Sequence, residues 1–369
     1  EIKKYGKVTD YELRLKNKDG SLIHVAISSA LIHDKEGNPL KIAGTMRDIT
    51  GCKQSESRLK ESELQYRDLA NSGQALIWTA TPDKKCDYFN QIWLEFTGRT
   101  IEQELGDGWA EGVHPDDLDR CFTIFSTSFD ERKSFSMDYR LRYHDGTYRW
   151  LQDDGKPRYN GEGDFIGYIG HCLDISERVR AESILNARMR LAEFAQFHTR
   201  HELQKKLLDE LELLTDSKVG FFHAVDSDQK ALTLQSYSTH TLETMCTAES
   251  ESQHYGIDKA GVWVDCVLQR KAVIHNDYMS LEHRQGLPEG HVPVIRELVV
   301  PVFRSEQIVA VVGIGNKTTD YTEVDVETVN LLADLSWDII ERLGTQENME
   351  KLSQAIAQSP VMTYITGTS

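Results

Sequence analysis

One pattern occurs twice in this chain, at a constant offset of 126 positions. Asp19-Gly20 returns as Asp145-Gly146, Gly37 as Gly163, Gly44 as Gly170, and Asp48-Ile49-Thr50 as Asp174-Ile175-Ser176. In both copies a glycine turn enters a strand-like run, residues 40–47 and 165–173, and a charged helical stretch follows the acid-Ile-hydroxyl triplet at once. A fixed spacing across so many turn and strand positions marks a duplicated structural unit rather than a chance tripeptide. Its chemistry is a chain reversal followed by a helix start. Asp174 or Ser176 is placed to accept from the first free helix N–H groups, and Asp174 with Glu177 has capping-box spacing. In the first copy Gly51 follows Thr50, which leaves the cap to Thr50 alone. Asp48, Ile49, Thr50, Asp174, Ile175 and Ser176 are therefore the candidate coupling residues between sheet and helix.

This junction resembles that of PAS domains with a C-terminal PAC motif, in which an Asp-Ile-Thr signature joins a sensory sheet to a signalling helix. The resemblance implies an α+β chain of tandem PAS-like and GAF-like domains: antiparallel sheets with flanking helices, joined by long helical linkers. Residues 1–50 read as the C-terminal part of a truncated PAS/PAC domain, because three strands lack the front half of that fold. Residues 51–70 read as a linker helix, with Leu59, Tyr66 and Leu69 in a weak stripe that suits either a solvated linker or a parallel coiled coil between subunits. Residues 71–177 read as a complete PAS/PAC domain.

Composition limits what such a chain contacts. With 42 basic and 59 acidic residues the net charge is −17, which repels phosphate backbones and anionic membranes and argues against nucleic acid as a partner or direct membrane contact. The longest apolar runs are strand-sized, well short of the about 20 residues that span a bilayer. Six cysteines without C-x-x-C spacing fit reduced thiols in a cytoplasm.

Within residues 71–177, Pro115 with Asp116 and Asp117 opens a helix whose apolar positions are Leu118, Cys121, Phe122, Phe125 and Phe129. Phe135, Met137, Tyr139, Leu141 and Tyr143 alternate as on a half-buried strand. The resemblance places any small ligand between these helices and the sheet. Trp78, Phe89, Asn90, Trp93, Phe96, Phe122, Tyr139 and Trp150 are the candidates to line or fill that space, and aromatics at core spacing favour filling. No particular cofactor is implied. The flavin-photoreceptor signature is absent, and His114, before a proline, is poorly placed as a haem ligand.

Residues 176–214, free of Pro and Gly, read as one continuous helix, and it enters a different fold. Two hairpins, at residues 219–238 and 297–316, and a last helix at 324–343 resemble a GAF domain over residues 178–343, entry helix included. Asn316-Lys317, Tyr321 and Asp325 resemble the family's N-K…F…D-E motif, with Tyr for Phe and Val326 for the last acid; Lys317 and Asp325 are read as a structural ion pair. The candidate pocket is Tyr237, Cys246, Tyr255, Trp263, Cys266, His275, Asn276, Asp277, Tyr278 and Arg296, beside a long irregular loop at 280–293. Scattered Cys and His match no zinc module, so no metal is assigned. Cys246 and Cys266 are the only pair for a thiol-dependent sulfoxide reductase, a minor enzymatic alternative. Residues 344–369 read as a linker and the start of a further PAS domain.

No phosphate loop, nucleophile elbow or kinase motif occurs, and His201-Glu202-Leu203 matches a phospho-acceptor helix only by accident, so no catalytic residue is assigned. The resemblance implies a bacterial cytoplasmic sensory relay for a small ligand or redox cue. It would be a homodimer through its linker helices, with a histidine kinase downstream in the same polypeptide. The alternatives are a diguanylate cyclase or phosphodiesterase output, and a dimerisation scaffold without ligand.

Overall fold

The structure, a computed structural model, describes residues 6–245, 254–257, 261–282, 284 and 293–358. The chain divides into two compact units, Glu1–Ser176 and Glu177–Ser369.

The first unit opens with an antiparallel sheet of β1 (Lys7–Lys16), β2 (Leu22–His33) and β3 (Pro39–Asp48) in that order. Its turns are made by local acceptors. Asp19 Oδ1 accepts from Ser21 N and Oγ at 2.9 and 2.6 Å, as Asp145 Oδ1 accepts from Thr147 N and Oγ1 at 2.8 and 2.6 Å in the second copy. Helix α1 (Thr50–Asn71) follows and buries no residue, leaving Leu59, Tyr66 and Leu69 exposed.

A second, five-stranded antiparallel sheet contains β4 (Leu76–Ala80), β5 (Cys86–Phe89), β6 (Phe135–Arg142), β7 (Tyr148–Tyr159) and β8 (Phe165–Asp174), in the order β5-β4-β8-β7-β6. Between β5 and β6 run α2 (Gln91–Thr97), the short α3 (Ile101–Glu104) and α4 (Pro115–Glu131). The period-2 reading is realised along β6, where Phe135, Met137, Tyr139 and Leu141 are buried while Ser136 and Asp138 face solvent; Tyr143, the next in the series, lies past the strand's end and is half-buried. They meet Trp93, Phe96, Cys121, Phe125 and Phe129 from the helices in one core. Phe122, expected on the buried face of α4, is 37% exposed and rests on Trp109 instead, 5.6 Å between ring centres. Asp117 takes an inward place, accepting from Arg140 Nε at 2.8 Å and Arg140 N at 3.0 Å.

The second unit holds α5 (Ser176–Phe194), α6 (Arg200–Thr215) and a six-stranded antiparallel sheet. Its strands are β9 (Val219–Val225), β10 (Ala231–Tyr237), β11 (His254–Gly256), β12 (Val273–His275), β13 (Glu297–Arg304) and β14 (Gln307–Gly315), ordered β11-β10-β9-β14-β13-β12. Helix α7 (Asp265–Gln269) is short and α8 (Glu323–Ala357) is long. Leu191, Leu207, Leu211, Leu332 and Ile340 cover one sheet face, and Val264 and Cys266 pack on the other. Burial on both faces accounts for the near-continuous apolar runs of β13 and β14.

Two helix expectations are corrected. Residues 176–214 are two helices, because Thr199 and Glu202 form a reciprocal capping box that starts α6: Thr199 N donates to Glu202 Oε2 at 2.8 Å and Glu202 N to Thr199 Oγ1 at 3.3 Å. The final helix does not stop near 343. Gly344 lies inside α8, where a Cβ would come within 3.0 Å of the Arg200 guanidinium, and Glu347 Oε1 accepts from Arg200 N at 2.7 Å. The glycine there makes room for a packed arginine rather than ending the helix. Of the further PAS opening expected at residues 352–366, the start of its helix, residues 352–357, is the continuous last part of α8, and residues 359–366 lie outside the described residues.

Candidate functional site

The duplicated triplet folds into the same clasp twice. Asp48 Oδ1 accepts from Thr50 N at 2.8 Å, and Asp174 Oδ1 from Ser176 N at 2.9 Å, closing a two-residue turn at the head of each helix. The Thr50 hydrogen bonds hold the Asp48 carboxyl below its ordinary range. The hydroxyls point sideways. His24 N donates to Thr50 Oγ1 at 2.8 Å and Trp150 N to Ser176 Oγ at 2.9 Å, while Ile49 N and Ile175 N each donate 2.8 Å back to the His24 and Trp150 carbonyls. Thr50 and Ser176 are therefore not helix caps, and Asp174 has no capping box with Glu177: the hydroxyl is spent on the adjacent strand. Each helix start is thus fixed to two strands, its own and the neighbouring one. His24 and Trp150 stand at the same offset of the repeat, a signal that was present in the sequence.

Inside the second sheet the candidate ligand space is a cavity of about 10 Å³, close to one water. Trp78, Phe89, Trp93 and Tyr139 of the expected set line it, joined by Trp109, Phe125, Cys86 and Asp153. The other expected residues do different work. Phe96 packs edge-on to Tyr143 at 4.9 Å, Phe122 lies outward, and Trp150 is half-buried beneath the Arg140 guanidinium at 5.3 Å. Asn90 has no hydrogen-bonding capacity left for a ligand. Its Oδ1 accepts from Ile77 N (2.9 Å) and Trp93 N (3.1 Å), and its Nδ2 donates to Ala70 O (2.8 Å) and Ala75 O (3.0 Å). It latches the end of α1 to β4 and α2.

Asp153 was missed by the sequence reading. It is 4% exposed, sits on β7 opposite Cys172 of β8, and accepts from Trp78 Nε1 at 2.9 Å. The indole reaches it by lying flat on Gly170, where any Cβ would come within 2.4 Å of the ring. Burial raises the Asp153 carboxyl to about 7, against the lowering effect of the Trp78 and Cys172 hydrogen bonds. Tyr139 Oη lies 3.8 Å from Cys172 Sγ, and burial pushes both groups up.

In the second unit the expected pocket residues divide among separate roles. Cys246 and the side chain of Tyr255 lie outside the described residues. Asn276 exchanges hydrogen bonds with the Tyr321 backbone, 3.0 Å from Nδ2 to Tyr321 O and 2.7 Å from Tyr321 N to Oδ1. Arg296 Nη1 donates to Lys317 O at 2.9 Å, Asp277 is exposed, and Tyr278 is buried against Val262 and Val294. Tyr237 lies on β10, opposite Phe221, and Trp263 stacks near His223 at 6.4 Å. Cys266 is fully buried and its thiol is pushed up by that burial, which disfavours the thiolate a sulfoxide reductase needs. His275 joins a buried charge chain: Nδ1 is 2.9 Å from Glu297 Oε1 and Nε2 is 3.2 Å from Asp265 Oδ2. Burial alone would lower His275, but Glu297 and then Asp265 raise it; burial raises Glu297. Neither acid was singled out from sequence. Lys317 Nζ lies 2.7 and 2.9 Å from the two Asp325 oxygens, Asp325 Oδ2 accepts from Thr322 N at 2.9 Å, Tyr321 Oη meets Ser217 Oγ at 2.7 Å, and Asn316 Oδ1 accepts from Ile295 N at 2.8 Å.

Family models match three stretches: a PAS domain at residues 1–51, a PAS fold at 87–172 and a GAF domain at 198–341. The chain is a tandem of PAS and GAF domains. Over 177 residues, 48% of this PAS–GAF chain and 21% of the relative, it is 37% identical to the uncharacterized protein y4lL of Sinorhizobium fredii. It is 34% identical over 194 residues to the methyl sulfide methyltransferase-associated sensor of Methanosarcina acetivorans, covering 50% of this chain and 19% of that one. To the peroxide stress-activated histidine kinase mak1 of Schizosaccharomyces pombe it is 29% identical over 190 residues, covering 47% and 12%. The chain spans about a fifth or less of the length of these curated relatives. No helix among the described residues is long and apolar enough to cross a membrane.

Proposed function

We propose that this PAS–GAF chain is a cytoplasmic sensory relay. A small-molecule or redox event in a domain core biases the clasp at the end of its sheet, and the helix that starts there carries the bias towards a histidine kinase domain of the same polypeptide. The observation that carries this reading is the clasp built twice from matching atoms. Asp48 with Thr50 and Asp174 with Ser176 each fasten a helix start to two strands at once, so a shift of either strand displaces the helix. The names of two relatives, a sensor and a histidine kinase, support the class of process. A coupling of about 1–3 kcal/mol between two helix positions is enough for such a relay.

Ser176→Ala in the full-length protein tests it. The substitution removes one hydrogen bond, about 0.5–1.5 kcal/mol, so the first unit stays folded by circular dichroism while autophosphorylation changes several-fold. Output equal to wild type, with the fold intact, would refute the relay.

A further inference from the structure

Helix α8 carries a glycine in its interior, a choice that weakens a helix unless packing requires it. Gly344 is the last buried residue of α8, and none of residues 345–357 is buried, so it stands where the helix leaves the second core. A Cβ there would come within 3.0 Å of Cδ and of Nη1 of Arg200. The position is kept bare for one arginine. Arg200 is also the first residue of α6, and its N–H, which has no partner inside that helix, donates to Glu347 Oε1 of α8 at 2.7 Å. A carboxylate at this end of α6 is favoured by the helix dipole as well. Arg200 thus holds α8 by its backbone and by its side chain at the point of exit.

The guanidinium also reaches the sheet, where Arg200 Nη2 donates to Gln235 Oε1 at 3.4 Å. Gln235 is the extra residue of a β-bulge: Leu234 pairs with His223 and Ser236 with Phe222, which leaves Gln235 without a register partner on β9. A bulge re-aims a side chain that regular pleating would place elsewhere. Beside it, Ser236 Oγ lies 3.0 Å from His201 Nδ1 and donates to Gln204 Oε1 at 3.4 Å, which lays the first turns of α6 on β10. Three elements, β10, α6 and α8, therefore meet at one arginine. Tyr237, of the expected pocket set, stands two residues further along β10.

We infer that Arg200 is a positioning residue: it fixes where α8 leaves the second unit and passes a displacement of the β10 bulge on to the helix beyond Gly344. The bulge carries Gln235, Gln235 holds the guanidinium, and the guanidinium lies against the bare face of Gly344. An arginine suits this place because its planar fork lies flat on a backbone while it donates sideways, which a lysine ammonium does not do. The inference goes beyond the clasps of the first unit, since it concerns the exit of the second. It is read on α8 itself and the relay on output, so either can fail alone.

The test is peptide-resolved hydrogen exchange of the full chain over residues 345–357, with residues 323–340 of the same helix as the internal reference. Gln235→Ala, a substitution on the sheet rather than on α8, should speed exchange beyond Gly344 by about threefold or more, the worth of one hydrogen bond, and leave the reference at the wild-type rate. Made in Arg200→Ala, the same substitution should add nothing. Gly344→Ala supplies a check of sign. Helix propensity alone slows exchange by about fourfold, whereas a displaced Arg200 speeds it. The variant should therefore exchange faster than wild type, yet slower than its parent when made in Arg200→Ala, where the Cβ has room. Both single variants keep the arginine, so they decide the matter even where Arg200→Ala fails to fold. Wild-type exchange in Gln235→Ala, an effect of Gln235→Ala that persists in full in Arg200→Ala, or slower exchange in Gly344→Ala than in wild type each overturn the inference. Equal acceleration of the reference segment would mark a general loss of stability and overturn it too.

Discussion

Asp153, buried, and His275, half-buried, both hold protons more tightly folded than unfolded, but for different reasons. Asp153 is raised from 3.8 to about 7 by burial. The folded unit therefore binds a proton that the unfolded chain releases, so this contribution to stability is fully present below pH 3.8 and is lost as pH rises through about 7. Asp153→Asn removes the titration while keeping an acceptor oxygen for Trp78 Nε1. Urea denaturation in sodium salts at pH 6 and pH 8 should show the wild-type first unit weakening over that interval and the variant staying level; parallel loss in both would show that Asp153 does not ionise there. His275 is raised by Glu297 and Asp265, and Glu297 itself is raised. Both signs agree: the contribution is present below the ordinary histidine value of 6.5 and fades as pH climbs through the raised one. His275→Gln should destabilise the second unit by roughly 1.5–3 kcal/mol at pH 6, the worth of a charged hydrogen bond, and by clearly less at pH 9. A penalty that grows with pH would contradict the assignment.

At the scale of elements, the helices are fastened by single polar residues. Asn90 uses all four hydrogen-bonding positions to hold the last turn of α1 on β4 and α2. Asn90→Ala strands those groups in a buried place, and we expect a loss of about 2–4 kcal/mol in the first unit's unfolding free energy; a change below about 0.5 kcal/mol would show that the latch is redundant. Sequence pattern made β6 legible because it alternates strictly, and the repeat marked the strand that ends in each triplet. The same alternation places Asp153 inward with Leu151 and Gly155, yet a charge in that register reads as a surface residue until its neighbours are known. The break before α6 was also written in the chain, as Thr199 with Glu202, but the absence of Pro and Gly outweighed it. What no local pattern carries is the meeting of distant groups, such as Asp265 and Glu297 on either side of His275, or Arg200 over Gly344. The outward face of α1 bears on the homodimer reading. Cys52, Leu59 and Tyr66 recur at seven-residue steps, all exposed, so a parallel pairing of α1 with a second copy brings two Cys52 thiols together. Mild oxidation of the full chain should then give a reducible dimer that Cys52→Ser abolishes. A chain that stays monomeric in sedimentation would rule out α1 as the seam.

For the whole molecule, the question is whether the two units share one folding transition. Each has its own core: Leu141, Leu151 and Tyr168 lie fully buried in the first, and Leu191, Leu207 and Leu332 in the second. Helix α5 begins at the Ser176 clasp, yet Ile184, Ala187 and Leu191 bury its inner face in the second core. A relay of the proposed kind needs that helix to stay folded on its own core while the clasp at its head shifts, which requires units that are separately stable. Calorimetry of the full chain should therefore resolve two transitions. Leu141→Ala, removing a fully buried side chain at about 2–5 kcal/mol, should lower one of them; Leu191→Ala should lower the other by a similar amount and leave the first in place. Should either substitution drag both transitions down together, the chain unfolds as one cooperative body, and a clasp acting between semi-independent domains is the wrong account of how this protein passes on a signal.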